Sequence, residues 1–148
     1  MSHRALLILH GIAAAVWLGG LAVLVLGYLP EAWRTRDPRL LVDAIARFDR
    51  LGLPALIVAI ITGCILAYHW LPETALWFNR ELPHGAAILT KFSLLILALL
   101  IYAYQRARVL PTLGPERIPR LGLCLTLQLV LATLLLIAGS AFRFTGYV

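Results

Sequence analysis

Apolar residues dominate four long stretches of the chain, at about 5–29, 51–71, 85–104 and 121–142, and polar residues gather between them. A hydrocarbon core about 30 Å thick is crossed by about 20 apolar residues in a helix, so each stretch is long enough to span a membrane. Lipid offers the backbone no hydrogen-bond partners, which makes each span a helix. The pattern predicts an all-α, integral membrane four-helix bundle, with residues 1–148 forming one four-span domain.

Finer periodicity adds detail. In the first span, Gly11, Ala15 and Gly19 recur every four residues and make a smooth stripe that another helix can approach closely, while His10, Ala14 and Trp17 share the neighbouring face. The segment DPRLLVDAIARFDRL places Asp37 as a helix cap before Pro38, with Leu40, Leu41, Ala44, Ile45 and Phe48 as an apolar stripe. It reads either as an interfacial helix or as an early start to the second span. That span tolerates Pro54 in its first turn and Gly63 near its middle, and it ends in Tyr68, His69 and Trp70. The loop PETALWFNRELPHG, bounded by Pro72 and Pro83, predicts a short structured segment in the headgroup region. The loop QRARVLPTLGPERIPR is too rich in proline to be helical throughout, and span four offers Thr126, Gln128 and Thr133 as interhelical hydrogen-bonding groups.

Composition agrees with a membrane protein, since 61% of the residues are hydrophobic, 14% are charged and the mean hydropathy is +0.90. A net charge of +6 suggests nucleic acid in a soluble protein, but here the arginines are topology signals and no nucleic-acid partner is expected. Arg34, Arg36, Arg39, Arg47 and Arg50 lie between spans one and two, and Arg106, Arg108, Arg117 and Arg120 between spans three and four; only Arg4, Arg80 and Arg143 lie on the other side. This bias predicts a multi-pass membrane protein whose two arginine-rich loops are cytoplasmic and whose termini both face outward, the periplasmic side where the membrane is a bacterial inner one. The first apolar run is much longer than a signal-peptide core and lacks a small-x-small cleavage site, so it is expected to be retained. Cys64 and Cys124 fall in opposite leaflets under this topology, too far apart for a disulfide.

The topology collects chemistry on one side. His3 lies in the outer tail, His69 and His84 lie at the outer ends of spans two and three, and His10 lies about 10 Å below the outer boundary, a level that Cys64 and Lys91 also reach. Each has a plainer role: His69 fits an aromatic belt, His84 a helix start, His3 a disordered tail and Cys64 a small buried hydrophobe. His10 and Lys91 are harder to dismiss, because an ionisable group within a span costs about 2.5–3.5 kcal/mol and needs a compensating partner. The remaining plain reading is interhelical hydrogen bonding, with Lys91 snorkelling outward. Imidazole and thiolate suit copper, whereas carboxylates, which harder ions prefer, are absent from the spans. Two histidines facing each other across a bundle equally suit the axial positions of haem b. No nucleotide loop, nucleophile with its base, or hydrolytic carboxylate pair is evident.

The stretch LHGIAAAVWLGGL resembles the first span of the CopD family of bacterial inner-membrane copper-resistance proteins. RFDRLGLPALIVAIITGCILA, followed by HGAAILTKFSLLILALLIYAYQRARVLPTL, resembles the core of that family. The resemblance implies copper handling between periplasm and cytoplasm, with His10, Trp17, Gly85 and Lys91 at matching positions. Full-length members have more spans. Met1 is the one methionine, so a methionine relay for Cu(I) is impossible and copper ligation falls to His10, His69, His84 and Cys64. The chain is also similar to four-span HemJ-type haem proteins, which implies haem b held by His10 with His69 or His84, near Trp17, and Lys91 attracting a propionate. A third reading is a small accessory subunit of a larger membrane complex. The copper reading, which is not that of an enzyme, is the primary expectation; a haem-dependent membrane oxidoreductase is the enzymatic alternative. The expected partners are the lipid bilayer, a periplasmic copper donor, and a homo-oligomer or larger complex.

Overall fold

The computed structural model describes residues 2–144, with side chains described as far as Ser140; the side chain of Arg143 lies outside that range. The described residues are almost wholly helical, and four helices are long and apolar enough to cross a membrane. They are α1 (His3–Thr35), α2 (Pro38–Trp70), α3 (Pro83–Thr112) and α4 (Ile118–Phe144).

Helix α1 is capped by Ser2, whose hydroxyl accepts from the Ala5 N–H. It ends at Arg36, which has a left-handed backbone (φ 53°) and so turns the chain sharply into the next helix. Asp37 caps α2 by accepting from the Arg39 N–H at 2.9 Å, and Pro38 occupies the first turn. The helix then runs unbroken for 33 residues, so the segment before the second span is an early start to that span and not a separate interfacial helix.

Two wide turns interrupt the regular helices, Leu24–Tyr28 in α1 and Gln105–Val109 in α3. Each ends two residues before a proline, Pro30 and Pro111. A proline ring clashes with the carbonyl one turn earlier in a regular α-helix and cannot donate to it; widening that turn relieves the clash without breaking the helix. Helix α3 then tightens into a 3-10 turn over Leu110–Thr112, and the second arginine-rich loop is short, with another 3-10 turn at Pro115–Arg117.

At the opposite end, Thr74–Phe78 forms a 3-10 turn, the structured segment expected from the sequence. Trp77 holds it in place by donating from Nε1 to the Leu71 carbonyl at 2.7 Å and stacking on Phe92 of α3. Gly85 permits the close approach, since a Cβ there would collide with the carbonyl oxygens of Asn79 and Leu76.

Helix α1 packs along α2 and α3 along α4, and the pairs meet through α1 and α4. The main core lies at the arginine-rich end, built from Leu24, Leu29, Leu41, Ile45, Val109, Leu121 and their neighbours. Phe48 wedges between α1 and α2 there, its ring lying over Gly20 and Gly52 where any Cβ would collide with it. The Gly11, Ala15 and Gly19 stripe instead faces away from the rest of the chain, with no atom within 4 Å of a Cβ built at Gly11 or Gly19. Of the three polar groups expected between helices from span four, Gln128 takes that role and donates to Gln105 Oε1 at 2.7 Å, both residues being buried. Thr133 bonds the Leu129 carbonyl of its own helix, and Thr126 is exposed.

Candidate metal site at the histidine-rich end

The seam between α1 and α2 carries the site. His3, His10 and Trp17 recur every seven residues along α1, which returns them to nearly the same face. On the antiparallel α2, His69 and Thr62 are likewise seven residues apart. The two series meet: the ring centroids of His3 and His69 are 6.1 Å apart, and His10 reaches the Ala59 and Thr62 turn. The two levels are separated by about 10 Å of helix.

His10 is half-buried, and its geometry fixes its tautomer. Nδ1 lies 2.9 Å from the Ala59 carbonyl oxygen and 3.0 Å from Thr62 Oγ1. A carbonyl only accepts, so Nδ1 carries the proton and donates. Thr62 spends its own hydroxyl proton on the Val58 carbonyl at 2.6 Å, which leaves its oxygen as a second acceptor for His10. The lone pair of neutral His10 is therefore on Nε2. Gly63 lets the α2 backbone come close to the ring, because a Cβ there would lie 3.1 Å from His10 Cε1. His69 has the same tautomer for the same reason, with Nδ1 2.8 Å from the Ile65 carbonyl of its own helix. Donation of one ring N–H to a backbone carbonyl is how proteins orient a metal-binding imidazole and leave its other nitrogen available.

Lys91 of α3 lies within electrostatic range of His10, and its ammonium is 5.9 Å from the Trp70 ring centroid. His84, in the first turn of α3, meets the same tryptophan edge to face at 6.1 Å. The candidates thus fall into three linked contacts: His69 with His3, His10 with Thr62 and Ala59, and His84 with Trp70. Cys64, half-buried, and Cys124, buried, both carry free thiols. Trp17 is half-buried farther along α1. Among the described residues, no group of three or more His, Cys, Asp or Glu side chains is gathered closely enough to hold a metal ion.

Sequence reasoning passed over two features. His3 is helical and faces His69, where a tail had been expected; the seven-residue spacing from His10 was the available signal. Asp49 is buried at the other end of α2, with Oδ2 3.0 Å from Arg106 Nη1 of α3. The Arg106 guanidinium also lies over the Tyr102 ring. Asp49 follows Ile45 by four residues and so falls on the apolar stripe already evident in the sequence.

The family described as copper resistance protein D matches residues 42–142, which covers α3 and almost all of α2 and α4. The copper transport protein CutJ of Bacillus subtilis (strain 168) is 30% identical to the chain over 95 residues, an alignment covering 64% of this chain and 17% of CutJ. The chain therefore aligns with about a sixth of that relative's length. No solved structure matches the chain. The family match begins after α1, so His3, His10 and Trp17 lie on its N-terminal side.

Proposed function

Because the chain belongs to the copper resistance protein D family and has four helices long and apolar enough to cross a membrane, we propose that it takes up or passes copper along the histidine seam of α1 and α2. The observation that carries this reading is His10, whose Nδ1–H is committed to Ala59 and Thr62 and whose Nε2 lone pair is left for a metal. Neutral imidazole nitrogen suits both copper oxidation states. His3 and His69 provide an outer two-imidazole step, and His10 an inner one about 10 Å deeper. His84 and Cys64 are secondary ligands that a moving ion meets at the same end. Lys91 opposes a resident cation at His10 by simple repulsion, which keeps binding weak enough for hand-off.

In this reading the arginine-rich end faces the cytoplasm and the histidine-rich end the periplasm of a bacterial inner membrane, with both termini outward. Residues 1–148 act as one four-span unit. A periplasmic copper donor meets the exposed His3 and His69 first. The test is copper accumulation in cells that express the protein. His10→Ala is expected to abolish the protein-dependent component, and a combined His3→Ala and His69→Ala variant to reduce it. Undiminished accumulation by His10→Ala at equal expression removes the proposal.

A further inference from the structure

The arginine-rich end has a second built feature, independent of the histidine seam. An open groove of about 690 Å³ lies where α3 ends and α4 begins, lined by Tyr104, Ala107, Arg108, Thr112, Arg117 and Arg120. Two of its three cations are held in place: the Arg120 guanidinium lies 5.5 Å from the Tyr104 ring centroid, and Arg117 donates to the Thr112 hydroxyl. Among the described residues, the three arginines also lack a carboxylate partner. The ion pairs among the described residues are Arg34 with Glu31 and Arg106 with Asp49, so no carboxylate reaches Arg108, Arg117 or Arg120. Glu116, the acidic residue nearest in sequence, folds back over Gly114.

Three neighbouring guanidinium groups repel one another, and an anion that bridges them relieves the repulsion. Arginine favours phosphate, whose oxygens accept its paired N–H donors. The position of the groove identifies the form of that phosphate. It opens where two spans meet the polar loop, which is headgroup depth. Below it, on the faces continuing from Tyr104 and Arg120, Leu100, Leu123 and Leu127 are 62%, 60% and 42% exposed. Free phosphate has no use for that apolar strip, whereas acyl chains do. We infer that this groove binds the phosphate of an anionic phospholipid headgroup, with the acyl chains lying along Leu100, Leu123 and Leu127.

The test is native mass spectrometry of the purified full chain with added phosphatidylglycerol, with phosphatidylcholine, and with inorganic phosphate. The protein is expected to retain phosphatidylglycerol in preference to phosphatidylcholine. The R108Q/R117Q/R120Q variant is expected to lose that preference, its affinity for the anionic lipid falling on the order of 100-fold. A charge-matched control, R36Q/R39Q/R47Q, keeps the preference, and the single variant R120Q falls between the two, which keeps the test readable if the triple variant does not fold. Equal retention of both lipids, or a preference that survives R120Q and the triple variant, overturns the inference. Retention of inorganic phosphate without phosphatidylglycerol also overturns the lipid source and assigns the groove to a soluble anion.

Discussion

A neutral imidazole has one lone pair, and the partner of its other nitrogen decides where that lone pair points. At His10 the partner is a helix carbonyl, exposed to side-chain approach where Gly63 thins the surface of α2. Three substitutions probe this arrangement. Gly63→Ala forces the ring to give by a few tenths of an ångström and is expected to weaken copper binding about threefold with little loss of stability, measured by competition titration alongside thermal unfolding. Thr62→Val removes one of the two acceptors while leaving Ala59, and so is expected to weaken binding less than His10→Ala does. Lys91→Met removes a cation near the site; copper should then bind about tenfold more tightly while passage slows. Tighter binding with unchanged passage would separate Lys91 from hand-off.

Among the elements, the bundle is tied by polar pairs as well as by its apolar core. Gln105 and Gln128 join α3 to α4 through one buried hydrogen bond. Gln128→Leu leaves the Gln105 amide without its partner and is expected to cost about 1–3 kcal/mol, whereas Q105L/Q128L recovers most of that loss in thermal unfolding. Asp49 and Arg106 tie α2 to α3, with 10% and 48% of their side chains exposed. Removing Arg106 strands a buried carboxylate, so Arg106→Ala should destabilise by about 1–3 kcal/mol, discounted for its half-exposed side. Asp49→Asn in the same background should restore part of the loss.

The sequence made the helices legible because twenty-residue apolar runs have no other use, and Asp37 with Pro38 marked the start of α2. It left helix rotation open, since in so apolar a chain lipid-facing and core-facing positions carry the same residues. That is why the Gly11 stripe reads as a packing face although it points outward, while the contact of α1 with α2 is made at His10 and Gly20. The pairing of His3 with His69 needed the register of two helices, which no spacing within one helix supplies.

At the scale of the whole molecule, the two ends differ in kind. The arginine-rich end has the tight core, the proline-relieved wide turns and the anion-binding groove; the histidine-rich end is held by a tryptophan-anchored turn and single polar contacts. A copper path is better placed at the looser end, where ligands can exchange without disturbing the core. The copper proposal, unlike the haem alternative, predicts that the purified protein has no Soret band that shifts on reduction, which an absorption spectrum decides.

The most direct test of the central claim is a copper titration of the purified full chain in lipid nanodiscs, comparing the parent with His10→Ala and taking His84→Ala as the reference. If copper passes through His10 Nε2, the parent binds copper, His10→Ala loses at least tenfold in affinity, and His84→Ala changes little. Equal affinities for the parent and His10→Ala would contradict the account and leave His10 as a histidine that only joins two helices.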